Sequence, residues 1–140
     1  MISVLLQKAP EEVTGRGAGL DSRGYKRKVQ VIKEALAQLK PEIDDPVDVL
    51  SKVGGFDLAA LTGFYIGCGA YRIPAVLDGL ITGAAALAAV RLCPKVQGYL
   101  LASHVSAEPA GAMVLEALGL RPGWSVPWGG YRSSRPFPSS

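Results

Sequence analysis

Residues 53–109 read VGGFDLAALTGFYIGCGAYRIPAVLDGLITGAAALAAVRLCPKVQGYLLASHVSAEP, and this stretch decides the fold. Two short apolar runs, residues 74–77 and 99–102, each stop at polar residues, and segments rich in alanine and leucine flank the first run. A short apolar run between turn signals indicates a strand that is buried on both faces. The order helix, strand, helix, strand therefore predicts a βαβ unit and an α/β fold with a parallel sheet.

Polar residues follow both predicted strands. Asp78 and Gly79 follow the first strand, and the sequence SHVSAE at 103–108 follows the second. Because ligands of open parallel sheets bind beyond the carboxyl ends of the strands, we expect these residues to share one rim. Ser106 precedes a helix expected at 110–118, so its hydroxyl binds an anion, caps the helix or does both. A Ser-His-Asp hydrolase is disfavoured because neither serine lies in a Gly-x-Ser-x-Gly turn.

A glycine-rich segment and a basic cluster lie in the first quarter of the chain. Residues 13–20 read VTGRGAGL, and a helix is expected at 23–39. Alternate glycines allow backbone N–H groups to approach an anion, although a flexible turn is the favoured explanation of the glycines taken alone. Lys28 belongs to a run of three cations in the first turns of that helix, where cations are unfavourable. The cluster indicates either an anionic partner or a solvated helix face.

The composition excludes several classes of protein. The 140 residues suffice for one domain, and the net charge of +3 is too small and too local to indicate nucleic-acid binding. Cys68 and Cys93 lie in apolar stretches and are expected to be free thiols rather than metal ligands or a disulfide. No apolar run approaches about 20 residues, and no convincing secretory signal is present. We expect a cytoplasmic protein without a membrane span, a metal or a cofactor.

Taken together, the motifs resemble the nicotinate-nucleotide–dimethylbenzimidazole phosphoribosyltransferase family, which makes α-ribazole phosphate for the lower ligand of cobalamin. The similar stretches lie within residues 9–122 and include EEVTGRGAGLDS, DVLSKVGGFDLAALTG, PAVLDGLITGAAALAA and YLLASHVSAEP. The resemblance implies a Rossmann-like, doubly wound parallel sheet, of which this chain would be an incomplete fragment. It also implies transfer of a phosphoribosyl group from nicotinate mononucleotide to 5,6-dimethylbenzimidazole. Full-length members of the family would be homodimers.

The resemblance also implies where the substrate binds. It assigns six residues to the nucleotide site, namely Gly17, Ala18, Lys28, Asp78, Gly79 and Ser106. Lys28 and Ser106 would bind the 5′-phosphate, which agrees with the separate indications from the basic cluster and the rim serine. Gly17 and Ala18 would present backbone groups to the nucleotide, and the two residues after the first strand would line the same cleft.

The last residues depart from the family pattern. Beyond position 122 the family carries an LGEGTGAA-like motif, whose glutamate is the general base, whereas this chain reads GWSVPWGGYRSSRPFPSS without any acidic residue. Codons for residues 127–134, read one base late, can encode LGEGTGAA. We therefore expect a partial phosphoribosyltransferase α/β domain at 1–122 and a disordered, out-of-frame tail at 123–140. Such a chain would lack a catalytic residue and be inactive alone. The alternative is a non-catalytic module that binds nucleotide, phosphate or another protein.

Overall fold

The computed structural model describes residues 1–16, 21–106 and 108–121. Helices dominate this part of the chain, and two short strands lie in its second half. The elements follow in the order α1 (Ile2–Leu6), α2 (Pro10–Val13), α3 (Ser22–Leu39), α4 (Pro46–Val53), α5 (Phe56–Tyr71), β1 (Ala75–Leu77), α6 (Leu80–Leu92), a 3₁₀ helix (Pro94–Tyr99), β2 (Leu100–Ala102) and α7 (Ala110–Ala117).

The two strands form a parallel pair. Ala75 lies opposite Leu100, and Leu77 lies opposite Ala102. Helix α6 connects the strands, because a parallel pair requires a crossover longer than a hairpin turn. The predicted βαβ unit is therefore confirmed, and each strand lies within the apolar run that predicted it.

Only one face of this strand pair is buried. Leu100 is 2% exposed, whereas its neighbour Leu101 is 55% exposed and Val76 on β1 is 62% exposed. The prediction that the first strand is buried on both faces is wrong in the described structure. A continuously apolar run does not show which face is covered, since every position looks alike in hydropathy.

The core is centred on α6. The described structure buries every residue of α6 from Gly83 to Ala89, and five of these seven residues are alanines. Small side chains let α6 pack closely against α5 on one side and α7 on the other. The closeness is visible at Gly83, where an added Cβ would lie 3.0 Å from the Cγ1 of Val114.

Local signals set the beginnings of the helices. The Asp21 carboxylate accepts a hydrogen bond from the Gly24 N–H at 2.7 Å and caps the start of α3. At α4 the Asp45 Oδ1 accepts from the Val47 N–H at 2.9 Å, with Pro46 in the first helical position. Both carboxylates satisfy N–H groups that have no partner inside the helix.

The glycines of α5 differ in their surroundings. A Cβ on Gly69 would lie 3.0 Å from the Cγ2 of Val96, so this glycine allows a close approach. Gly63 and Gly67 have nothing within 4 Å of an added Cβ in the described structure. Cys68 is buried, Cys93 is partly buried, and both are free thiols as predicted.

The helices of the described ranges are also too short or too polar for a lipid bilayer. None of them combines the length and apolar character that a membrane span requires.

Candidate functional site

The carboxyl ends of the two strands are joined by hydrogen bonds. The Leu77 carbonyl at the end of β1 accepts from the Ser103 backbone N–H at 3.0 Å and from its hydroxyl at 2.8 Å. The Ser103 hydroxyl also lies 2.9 Å from Nδ1 of His104. These bonds place the residues that follow β1 and β2 on one rim, as the sequence predicted.

Ser106 is held between this rim and α7. Its Oγ accepts a hydrogen bond from the Glu108 N–H at 3.3 Å. A Cβ on Gly111 would lie 2.7 Å from the Ser106 carbonyl oxygen and 2.8 Å from its Cβ, so the loop lies directly against α7. Because α7 begins at Ala110 with Pro109 as its N-cap residue, the interpretation of Ser106 as the N-cap is wrong. Its hydroxyl accepts one backbone bond and retains a proton that it can donate.

A cleft of about 580 Å³ lies beside Ser106 and contains the polar groups most suited to an anion. Its polar lining includes Lys28 and Ser106, which the resemblance assigns to the phosphate, together with Thr14, Gly15 and Glu108. Apolar side chains form much of the remaining wall, including Val13, Ile32, Leu58, Leu80, Ile81 and Ala84. The volume and the mixture of apolar wall and few polar groups are typical of a small-molecule site.

Lys28 reaches this cleft from α3. Its Nζ donates a hydrogen bond to the Gly15 carbonyl at 3.0 Å. An ammonium group has three donors, so two remain for a ligand. The contact joins α3 to the segment that follows α2 and fixes where the positive charge lies.

Glu108 also lies against Gly15. A Cβ built on Gly15 would overlap Oε2 of Glu108 and would lie 3.1 Å from Cδ of Pro109. A glycine at position 15 is therefore what allows the carboxylate to lie against the backbone. The sequence showed Glu108 on the rim but gave it no role, because its contact with Gly15 joins segments that are distant in the chain.

Asp78 and Gly79 take different positions on the rim. Their backbone N–H groups both donate to Thr82 Oγ1, at 3.1 Å and 2.9 Å, which closes the first turn of α6. Gly79 and Ser106 line a second, very small cavity of about 10 Å³. Asp78 is exposed and lines neither this cavity nor the larger cleft. Their predicted role in nucleotide binding stays a prediction.

Other predicted residues lie outside the part of the chain that the structure describes. Gly17 and Ala18 belong to the undescribed residues 17–20, and the predicted tail at 123–140 is outside the described ranges as well. Their proposed roles therefore rest on the sequence.

An α/β unit with a cleft beside its strand ends has an arrangement typical of small-molecule binding, and comparison with known proteins identifies the family. A family described as phosphoribosyltransferase matches residues 1–126. The chain is 54% identical over 120 residues to the nicotinate-nucleotide–dimethylbenzimidazole phosphoribosyltransferase of Desulforudis audaxviator. The protein of that name from Acetivibrio thermocellus is 50% identical over 120 residues. Each alignment covers 86% of this chain and 34% of the relative.

A solved structure supports the same relationship. The crystal structure of CobT from Thermus thermophilus matches with a TM-score of 0.82 and 41% sequence identity, over 89% of this chain and 37% of that chain. The chain therefore belongs to the nicotinate-nucleotide–dimethylbenzimidazole phosphoribosyltransferase family, and the resemblance seen in the motifs is confirmed. The predicted α/β fold, incomplete in this chain, is confirmed as well. The chain spans about a third of the length of the curated relatives it matches.

Proposed function

We propose that this chain forms the phosphate-binding half of a site that transfers a phosphoribosyl group from nicotinate mononucleotide to 5,6-dimethylbenzimidazole. The products are α-ribazole 5′-phosphate and nicotinate, and no cofactor takes part. The observation that carries this proposal is the convergence of Lys28 and Ser106 on one cleft. Lys28 lies on α3, and Ser106 lies in the loop after β2. The sequence alone did not show that these two segments line one cleft.

The chemistry of the cleft suits a nucleotide 5′-phosphate. The Lys28 ammonium supplies the opposite charge, and the Ser106 hydroxyl supplies a directed donor. The apolar side chains beside them are suited to an aromatic base, which gains free energy by leaving water. Gly17 and Ala18 would add backbone contacts, Gly79 would approach from the adjoining small cavity, and Asp78 would act from the exposed rim.

The reaction also needs a general base, and we propose that this chain lacks the glutamate that serves as that base in the family. A nitrogen of dimethylbenzimidazole attacks the anomeric carbon, nicotinate leaves, and a general base takes the proton of the benzimidazole. Residues 123–140 contain no acidic residue, and the family match ends at residue 126. The absence of an acidic residue supports a partial phosphoribosyltransferase domain at 1–122 followed by an out-of-frame tail, although the family match continues a few residues past position 122. Sequencing the gene tests this: an intact frame with no glutamate codon one base out rejects the tail proposal.

Calorimetric titration with nicotinate mononucleotide tests the phosphate site. Lys28→Ala and Ser106→Ala should each weaken binding, because a hydrogen bond to a charged group contributes about 1.5–3 kcal/mol, or roughly 10- to 150-fold in affinity. Lys26→Ala is the matched control, since it removes an equal charge from the same helix at a position that does not line the cleft. Unchanged affinity in both site variants would reject the assignment.

A non-catalytic nucleotide-binding or interaction module is the second candidate, and the tail without acidic residues favours it. Nucleotide binding without any release of nicotinate in the presence of dimethylbenzimidazole would support this candidate. Measurable transfer by this chain alone would instead reject the proposed absence of a catalytic group.

The remaining expectations about partners and location also stand as proposals. The substrates are the two small molecules, with no nucleic acid and no membrane as partners. Homodimerisation is proposed for the full-length family member, and a cytoplasmic location stays a prediction of the sequence.

A further inference from the structure

One charged side chain of the cleft has no part in the function proposed above. The Glu108 carboxylate lies against Gly15, where an added Cβ would overlap Oε2. Its main chain is fixed on both sides, because its N–H donates to Ser106 Oγ at 3.3 Å and its carbonyl accepts from the Gly111 N–H at 2.8 Å. The Glu108 carboxylate and the Ser106 hydroxyl therefore belong to the lining of the same cleft.

A carboxylate beside a phosphate site calls for an explanation, because two anions repel each other. Lys28 does not neutralise it directly, since none of the ion pairs found among the described residues joins these two side chains. Both side chains contact Gly15, so the ammonium and the carboxylate lie less than about 9 Å apart. The cleft thus contains a positively charged hydrogen-bond donor, the Lys28 ammonium, and a negatively charged acceptor, the Glu108 carboxylate.

We propose that Glu108 binds the vicinal hydroxyl groups of the ribose while Lys28 and Ser106 hold its phosphate. An ionised carboxylate is an acceptor with two oxygens, which matches the two O–H donors of a diol. A nucleotide carries its anion and its diol on the same sugar, so a site with both kinds of group recognises the two ends of one ribose phosphate. This inference rests on the proposed function and makes Glu108 a residue that determines specificity for the sugar.

The test compares nicotinate mononucleotide with its 2′-deoxy and 3′-deoxy analogues by calorimetry. The wild-type chain should bind the deoxy analogues about tenfold or more weakly, because a hydrogen bond to a charged acceptor is lost. Glu108→Ala should bind all three ligands with similar affinity. Glu116→Ala is the matched control, since it removes an equal charge from an exposed position of α7 and should retain the discrimination.

The variant Glu108→Gln and the ligand inorganic phosphate provide two further tests of the role of Glu108. Glu108→Gln preserves the shape of the side chain without its charge, so discrimination should be reduced rather than abolished. Inorganic phosphate should bind Glu108→Ala at least as tightly as it binds the wild type, because a like charge has been removed. Undiminished discrimination in both Glu108 variants, with nicotinate mononucleotide still bound through Lys28, overturns this inference alone. Failure of the wild type to bind the nucleotide rejects the proposed function as well.

Discussion

Replacing Gly111 with alanine tests whether contact with α7 determines where Ser106 lies. The new Cβ would lie 2.7 Å from the Ser106 carbonyl oxygen and 2.8 Å from the Ser106 Cβ. Neither neighbour is the flexible end of a side chain, so the loop or the helix must move. Overpacking of this kind costs about 1–3 kcal/mol. The better helix propensity of alanine offsets at most about 1 kcal/mol of that cost.

Gly63→Ala provides the matched control for this substitution. Gly63 lies inside α5 and has nothing within 4 Å of an added Cβ, so only the propensity effect remains. We expect this control to be stabilised by about 0.5–1 kcal/mol. Urea unfolding of both variants should therefore place Gly111→Ala below Gly63→Ala by about 1–3 kcal/mol in the free energy of unfolding.

The same pair of variants has a functional readout. Because Gly111→Ala displaces the Ser106 backbone, its affinity for nicotinate mononucleotide should fall, whereas Gly63→Ala should bind as the wild type does. If Gly111→Ala is as stable as the control and binds with unchanged affinity, the argument that α7 positions Ser106 is refuted.

Three further predictions concern the strands and the helix caps. Leu100→Ala should cost about 2–5 kcal/mol of unfolding free energy, whereas Leu101→Ala, in the exposed neighbouring position, should cost less than about 1 kcal/mol; equal losses in urea unfolding would contradict burial on one face only. Asp45→Ala should destabilise the chain by about 1 kcal/mol and Asp45→Asn by much less, because asparagine also caps helices. The melting temperature of Asp45→Ala should therefore be lower than that of Asp45→Asn. The Glu42 N–H donates to the Asp48 carboxylate and lowers its pKa. The stabilisation that this hydrogen bond gives the folded chain should be fully present above the ordinary pKa of 3.8 and be lost as the pH falls below it. Melting temperatures of the wild type should therefore fall at acidic pH more than those of Asp48→Asn, and parallel profiles would refute this cause.

The elements of the fold were predictable wherever local chemistry determines them. The helix expected at 23–39 is α3, whose first turn the Asp21 carboxylate caps, and Asp45 caps α4 in the same way. The strands were predictable because apolar runs ended abruptly at polar residues. Which face of each strand is covered was not predictable, since it depends on neighbours that a continuously apolar sequence does not specify. The open surroundings of Gly63 and Gly67 depend on distant parts of the chain in the same way.

The candidate site was predictable only in part. The order of strands and helices placed Ser106 on a rim. The basic cluster that contains Lys28 indicated either an anionic partner or a solvated helix face. The contact between Glu108 and Gly15 could not be foreseen, because it joins residues that are 93 positions apart (108 minus 15) and leaves no local pattern. The hydrogen bond from the Glu108 N–H to the Ser106 hydroxyl was also not predicted. A serine shortly before a helix is typical of an N-cap, and the sequence does not show which N–H donates to its hydroxyl.

The hydrogen bond from Lys28 to the Gly15 carbonyl has a consequence for the thermodynamics of binding. A lysine side chain that becomes ordered only when its ligand arrives loses up to about 2 kcal/mol of rotamer entropy at that moment. Here the ammonium already has a partner at 3.0 Å in the free protein, so part of that entropy is lost during folding instead. A preorganised cation of this kind favours a small, highly charged ligand, which offers few other contacts to compensate for ordering a flexible side chain.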